Sequence, residues 1–280
     1  MTARLSARPV GDANSIEAAA FVLGFRREFN AGEIQKFQSL KETFKDDLPS
    51  FEMMSGFSIG VQAGDVPPAI SMAVNGILLQ NFLPNGKPSW ALRVFQNNIV
   101  VSCFAYDHWA DVWAKAKDIL RRTVQVIYNS DNPISMLSLQ MVDKFVYDSE
   151  PEKYDINDIF NSESTYLTKH VVEAGALWHV NQGWFADIKM FDSDLKHLNV
   201  LNVMSSKIPP NGTLEGIVDH LSQIVFDEKS LNSLNTQDNV FADPVLTRIE
   251  EVFSVFHEGN KTVLQGVLSK QKLEKIGLIG

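Results

Sequence analysis

Short apolar segments of strand length alternate with stretches of helical periodicity along this chain, and that order constrains the fold more than any other feature. The period of the apolar residues is the primary signal for secondary structure. The first half reads as a strand, a helix, four strands and a second helix. The strands are predicted at 15–25, 51–62, 69–80, 89–96 and 99–106, and the helices at 31–47 and 107–129. Asn97–Asn98 is typical of a tight hairpin turn.

The second predicted helix contains two tryptophans, in the sequence YDHWADVWAKAKDILRR at 106–122. At about 100° per residue, one face collects Trp109, Val112, Trp113, Ala116, Ile119, Leu120, Val124 and Ile127. Asp107 stands where a carboxylate can cap the first turn. We therefore predict that the tryptophans form the buried side of an amphipathic helix. An aromatic cage that holds a ligand is the alternative.

The second half follows a similar order. A strand-like segment at 133–148 and a short helix at 155–160 come first, and a long helix at about 243–271 comes last. Asp243–Pro244 has the residue types favoured at the start of a helix. Four apolar segments lie between the two helices, at 166–180, 184–191, 198–207 and 213–227.

These patterns predict an α+β protein made of two related β-α-β4-α units, with long amphipathic helices packed on one face of antiparallel sheets. The units are residues 1–130 and 131–280, joined near YNSDNP (128–133). No residue-level repeat relates the two halves. One shared sheet and two separate sheets are both compatible with the pattern.

The charge balance argues against nucleic acid as a partner. The chain carries 25 Lys+Arg and 34 Asp+Glu, for a net charge of −9, whereas nucleic-acid binders usually have a basic face. A single cysteine, Cys103, fits a reducing compartment. The sequence shows no secretory signal and no apolar stretch of about 18–20 residues that could span a membrane. We therefore expect a cytoplasmic protein.

Patterns that mark known chemistries are missing or incomplete. His257–Glu258 begins like the zinc-binding pattern H-E-x-x-H, but Lys261 occupies the second histidine position. The sequence contains neither a glycine-rich phosphate loop nor a G-x-S-x-G elbow. Cys103 lies in a predicted strand and is expected to be a small buried hydrophobe. Asp219–His220 also lies in a predicted strand, so these side chains should point to opposite faces. We predict no metal, no cofactor and no catalytic residue.

Three segments resemble a family of sequences. They are SIEAAAFVLGF (15–25), NNIVVSCFAYDHWADVWAKAKDIL (97–120) and VFSVFHEGNKTVLQGVLSKQKLEKIG (252–277). Their order resembles a sporadically distributed family of uncharacterised bacterial proteins, often encoded near mobile-element or phage-defence genes. The family has no activity that could be carried over. Its mid-chain strand often contains an Arg-Tyr pair, which LSLQMVDKF (137–145) lacks.

The candidate binding residues are polar groups at positions predicted to face inward. On the last helix, His257 and Asn260 fall inside the apolar stripe and Glu250 lies at its edge. Glu17 shares strand parity with buried apolar residues, so it is also expected to face inward. Such groups need a hydrogen-bond partner or line a cavity. Two interpretations of these residues remain. They form purely structural pairs, or they line a pocket between the C-terminal helix and the sheet. Glu17, His257 and Asn260 also match the family pattern.

Three functions are compatible with these observations. The first is a non-catalytic interaction, sensor or regulatory subunit of a bacterial multi-gene system, with phage defence as one setting. Its partner would be a protein of the same gene neighbourhood or a second copy of the chain. The second is a small-ligand-binding protein or enzyme that uses the pocket beneath the C-terminal helix. The third is a nucleic-acid-associated or nucleic-acid-mimicking protein.

Overall fold

The structure, a computed structural model, describes residues 7–11, 14–60, 69–128, 130–147, 154–208, 212–235, 241 and 243–279. The chain is a mixed α+β protein, as predicted, and it is organised around one large antiparallel sheet. The strands are β1 (Arg8–Pro9), β2 (Ile16–Phe25), β3 (Ser50–Gly60), β4 (Ala69–Phe82), β5 (Pro88–Phe95), β6 (Asn98–Cys103), β7 (Ile134–Val146), β8 (Trp178–Met190), β9 (Ser193–Ile208) and β10 (Thr213–Val225).

The strand order is β3-β4-β5-β6-β2-β7-β10-β9-β8, and the two-residue β1 pairs with β7. The first long strand of each half, β2 and β7, lie side by side at the centre, with Phe21 opposite Leu139. From this centre each half extends outward. The strand next to the centre is the last one of its half in sequence, β6 on one side and β10 on the other. The two halves therefore share a single sheet.

The second half departs from the four strands predicted after its short helix. The segment 166–180 contains the helix α4 (Lys169–Glu173), and β8 then runs without a break through Gly183. Gly175 follows α4 with a φ of +78°, a conformation that glycine adopts at little steric cost. Within the described residues, three strands rather than four therefore follow the short helix.

The described α-helices are α1 (Ala31–Phe37), α2 (Leu40–Thr43), α3 (Trp109–Val124), α4, α5 (Glu228–Leu234), α6 (Asp243–Val267) and α7 (Lys270–Lys275), with a 3-10 helix at Ile156–Asp158. The helix predicted at 31–47 is thus two shorter helices. A capping box begins α1: the Glu33 backbone N–H donates to the Asn30 side chain over 3.0 Å, and the Glu33 carboxylate accepts from the Asn30 N–H over 2.8 Å.

The tryptophan helix, α3, is shorter than predicted. It begins at Trp109, and His108 occupies the N-cap position without a side-chain hydrogen bond. The prediction that Asp107 caps this helix is therefore wrong, because helical geometry starts two residues later. Its inner side is as predicted, since the buried residues include Val112, Trp113, Ala116, Ile119, Leu120 and Val124.

The long C-terminal helix, α6, begins at Asp243 as predicted and ends at Val267 rather than near 271. Leu268 leaves the helix and forms a β-bridge with Phe160. The backbone N–H of Ser269 then donates to the carbonyl of Ile159 over 3.0 Å. These contacts explain why the helix stops and the chain turns into α7.

The described helices pack on one side of the sheet, which we call the inner face. The Phe21 ring centroid lies 5.7 Å from that of Trp109, 5.6 Å from that of Trp113 and 5.4 Å from that of Phe253. Helices α3 and α6 therefore lie next to each other over the central strands. Their apolar residues share one core with alternate residues of the strands, such as Ala19, Phe21 and Leu23 of β2.

The other side of the sheet, which we call the open face, has no helix over it within the described ranges. In β2 it carries Ala18, Ala20 and Val22, each of which stays partly exposed. Of the described helices, none combines the length and the apolar character needed to cross a bilayer.

Candidate functional site

Glu250 bridges two helices at the edge of the core. Its carboxylate accepts a hydrogen bond from Trp113 Nε1 over 3.0 Å and one from Lys117 Nζ over 2.5 Å. The bond from Lys117 is the main reason that the pKa of Glu250 is lowered, with a smaller contribution from Trp113. Glu250 therefore joins α6 to α3 and does not face the sheet.

His257 is used as a flat packing surface. Its ring stacks on Trp109, with centroids 3.9 Å apart and planes 3° apart. The residue is only 8% exposed. Burial, helped by the charge of Lys261, lowers the pKa of His257 to about 4. The imidazole is therefore neutral at pH 7 and packs against the indole as an uncharged aromatic ring.

Asn260 belongs to a network beneath α6. Its side-chain oxygen lies 3.1 Å from Nδ1 of His220, and Nε2 of His220 lies 3.1 Å from the side-chain oxygen of Asn199. All three residues are buried, and burial lowers the pKa of His220 to about 4. A neutral imidazole donates through one nitrogen only, so one of the two amides turns its NH₂ group toward the ring.

Asp143 on β7 extends the network. Ser15 Oγ donates to its Oδ1 over 2.6 Å, and the Asn260 side chain also acts to lower its pKa. Burial outweighs both effects and raises the pKa of Asp143 from 3.8 to about 6. We call Ser15, Asp143, Asn199, His220 and Asn260 the buried polar network. It links α6 to β7, β9 and β10 and to the start of β2.

Of this network, only Asn260 was predicted from the sequence as a candidate binding residue. Two other members, Asp143 and His220, could have been predicted from the alternation of buried and exposed residues along a strand. Asp143, for example, alternates with the buried Met141 and Phe145. His220 was expected to point away from Asp219, and it does: His220 is buried on the inner face, while Asp219 accepts a hydrogen bond from Gln140 Nε2 over 2.8 Å. The pairing of these strands beneath α6 required the three-dimensional structure.

Glu17 lies on the open face, so the expectation that it faces inward is wrong. A β-bulge between Ile16 and Ala18 changes the strand parity at this point. The Glu17 carboxylate lies 3.1 Å from Lys144 Nζ, which is also 2.9 Å from the carboxylate of Glu215. Purely structural pairing, here of a carboxylate near a strand end with a lysine, therefore describes this residue better than a pocket does. The structure does not bring Glu17 to α6.

Cys103 is a buried hydrophobe on the inner face, as expected. Burial raises the pKa of its thiol to about 11, so the thiol is protonated at neutral pH. Within the described ranges, no group of three His, Cys, Asp or Glu side chains is placed to hold a metal ion.

A surface depression of about 320 Å³ lies between α3 and α6. It is lined by Ala114, Lys117, Asp118, Arg121, Asp243, Leu246 and Thr247. Three of its charged groups are paired, with Arg121 Nη2 2.7 Å from Asp118 Oδ1 and Lys117 bound to Glu250. It is thus distinct from the predicted pocket between α6 and the sheet.

The open face is the side of the sheet that the described helices leave uncovered, and it carries apolar residues together with polar ones such as Gln140, Asn202 and Gln223. Its partly exposed aliphatic residues include Ala18, Ala20, Val22, Val100, Val142, Leu198, Val200, Met204, Ile217 and Leu221. Two large residues project from it, Phe185 on β8 at 68% exposure and Val225 at the end of β10 at 60%. Exposed apolar side chains that lie near one another mark interaction sites, and this face is therefore the candidate functional surface.

Two lysines of the open face contact carboxylates. Lys144 contacts Glu17 and Glu215 in the centre, and Lys196 lies 2.5 Å from Asp187 near the β8 edge. These pairs leave the lysines little capacity to attract a polyanion. The charges of this face therefore suit a protein partner better than a nucleic-acid partner.

A comparison with protein-family models, with curated proteins and with solved structures found no match to this chain. The function is consequently inferred from the geometry of the open face and of the buried polar network.

Proposed function

We propose that this chain is a non-catalytic interaction subunit of a bacterial multi-gene system in the cytoplasm, with phage defence as one setting. The observation that carries the proposal is the open face, because the described helices all pack on the opposite side of the sheet. The exposed apolar residues of this face gain free energy when a partner removes them from water.

The sequence of β2 supports a partner on the open face. In IEAAAFVLGF the residues of both parities are predominantly apolar. A strand with one side in water usually alternates apolar and polar residues, whereas a strand covered on both sides reads as a continuous apolar run. Strand β2 has the second pattern, although only its inner side is covered by described helices.

The arrangement of the buried polar groups supports a non-catalytic role. Asn260 is bound to His220, Glu250 to Trp113 and Lys117, and His257 is stacked on Trp109. These groups contact each other and hold α6 in place. A structural role accounts for each of them without a substrate.

We also infer that the two halves are related units that share one design. Each begins with a central strand, continues through a short helical segment and a run of antiparallel strands, and then places a longer helix on the inner face. The extra strand of the first half is the main difference between them.

An affinity pull-down in the native host tests the proposal with two matched variants. Phe185→Asp changes the open face, and Leu177→Asp changes a 58% exposed leucine just before β8. We expect the wild type and Leu177→Asp to retain a stable protein companion, a second copy of the chain included, and Phe185→Asp to lose it. An equal set of companions for all three proteins, or no companion at all, would contradict the proposal.

A further inference from the structure

Strand β8 is a free edge of the sheet. It is the last strand in the sheet order, and of the described residues only those of β9 form backbone hydrogen bonds with it. Such an edge presents a row of N–H and C=O groups that can pair with another chain. We propose that a second copy of this chain pairs with this edge, β8 against β8 and antiparallel, so that the two sheets join into one. This inference goes beyond the proposed function, because it concerns the edge of the sheet and leaves the middle of the open face uncovered.

Strand β8 lacks two of the features that keep natural edge strands from pairing, proline and a β-bulge. Its 13 residues, WHVNQGWFADIKM, contain no proline. Its register with β9 runs without a shift from Trp178 to Met190. The strand at the opposite end of the sheet, β3, is interrupted by a register shift between Met54 and Ser55. Of the two edges, β8 is therefore the one better suited to pairing.

The hairpin between β8 and β9 determines which backbone groups of β8 are free. Phe191 and Asp192 both have positive φ values, 53° and 56°, which are typical of a two-residue type I′ turn. The flanking residues Met190 and Ser193 are then a hydrogen-bonded pair, and such pairs alternate along an antiparallel ladder. Even-numbered residues of β8 therefore bond to β9. The free N–H and C=O groups belong to the exposed residues His179, Asn181, Gly183, Phe185, Asp187 and Lys189.

One symmetric register pairs the whole of β8 with its own copy. It places Trp184 opposite Trp184 on a two-fold axis perpendicular to the sheet, and Trp178 opposite Met190 at both ends. Odd-numbered residues then face odd-numbered residues, so the free groups of the two copies meet each other. They form about twelve backbone hydrogen bonds, and a typical stable interface has about ten.

The side chains that this register brings together on the open face are compatible. The pairs are Phe185–Gly183, Asp187–Asn181 and Lys189–His179. Phe185 is 68% exposed, and an aromatic ring can cover the backbone of a glycine on the neighbouring strand. The aspartate does not face an acidic residue, and the lysine does not face a lysine or an arginine. Because strand length alone fixes the register, this agreement is an independent argument for a second copy.

The inner side of the same register pairs apolar residues that the helices leave partly exposed. The pairs are Trp184–Trp184, Val180–Ile188, Trp178–Met190 and Gln182–Ala186. Since they are not hydrogen-bonded pairs, their Cα atoms lie only about 4.5 Å apart, and aromatic and aliphatic pairs at this distance stabilise a sheet. Trp184 keeps its contact with Tyr166, whose ring centroid is 5.5 Å away. Pairing therefore removes further apolar surface from water on this side.

Sedimentation of the purified full chain provides the first test. We expect the wild type at about 10 µM to have about twice the 31.3 kDa mass of one chain. Asn181→Pro removes a free N–H group and should have the mass of one chain, because proline cannot donate. Asn181→Ala keeps that N–H group and should remain a dimer, as should Phe82→Asp, an exposed position on β4. Circular dichroism shows whether each variant is folded; an edge strand tolerates proline where its N–H faces solvent.

Disulfide formation tests the register. The only cysteine, Cys103, is buried. In the proposed dimer residue 182 of each copy lies opposite residue 186 of the other, and a Cα separation of about 4.5 Å suits a disulfide. The double variant Gln182→Cys/Ala186→Cys should therefore form a covalent dimer under mild oxidation. Each single variant should stay unlinked, since its two thiols lie about 14 Å apart along the paired strands.

Three results would overturn the inference. They are a wild-type chain that is still a monomer at about 100 µM, a folded Asn181→Pro chain that is still a dimer, and a covalent dimer from either single cysteine variant. None of them bears on the open face. In the native-host pull-down, a companion bound to the middle of that face is retained by Asn181→Pro and lost by Ala20→Glu, so the two proposals fail separately.

Discussion

Replacing Asp143 by Asn should stabilise the protein at neutral pH. The pKa of Asp143 is about 6 in the fold and 3.8 ordinarily, a difference of about 2.2. Each pKa unit corresponds to about 1.36 kcal/mol, so ionising this carboxylate costs the fold about 3 kcal/mol. Because the pKa is higher in the folded protein, the protonated carboxyl group adds this free energy to the stability of the fold below about pH 4. That contribution is lost as the pH rises through about 6. Asn carries no charge and can still accept the hydrogen bond from Ser15.

Urea unfolding at a series of pH values from about 4 to about 8 measures this effect. The free energies of unfolding of Asp143→Asn and the wild type should be similar at the acidic end, and the variant should gain about 3 kcal/mol at neutral pH. His220 and His257, whose pKa values are lowered to about 4, act with the opposite sign, because their stability is lost as the pH falls below about 6.5. They are present in both proteins and cancel in the difference. A variant less stable than the wild type at pH 7 would refute the reasoning, since it would mean that the fold needs the charged carboxylate.

Three further predictions concern the same interior. Phe253→Ala removes a fully buried ring that contacts Phe21 and Trp113, so urea unfolding should show a loss of about 3–5 kcal/mol. Asn260→Ala leaves a ring nitrogen of His220 without its partner and should cost about 1–3 kcal/mol in the same assay; Glu250→Ala, at a half-exposed site, should cost less. The thiol of Cys103 should not react with a maleimide at pH 8 until the protein is unfolded, as mass spectrometry would show.

Periodicity was sufficient to place the tryptophan helix, because packing against a sheet leaves a regular stripe of buried residues. Trp113 is buried and Trp109 is partly buried against Phe21, as that pattern predicts. The end of α6 could not be predicted in this way, since it depends on the bridge between Leu268 and Phe160, which are far apart in sequence.

Glu17 shows why strand parity alone was insufficient for the candidate site. One bulge between Ile16 and Ala18 moved its carboxylate to the opposite face, and nothing in the local sequence marks that bulge. The shared sheet depends on pairing between β2 and β7, whose sequences are separated by more than a hundred residues. The open face did have a sequence signal, the apolar residues at both parities of β2, but interpreting it required knowing that the helices cover only one side.

The central claim is that a protein covers the open face in the cell, and the reactivity of a thiol at residue 20 tests it most directly. Ala20→Cys places the thiol on the open face, and Ala110→Cys places a control on the exposed side of α3. For each variant, the rate of maleimide labelling in the native host is divided by the rate for the same protein after purification and dilution. We predict that the ratio for Ala20→Cys is lower by about tenfold or more, the change expected when about nine-tenths of the chains are bound. Equal ratios for the two variants would contradict the account.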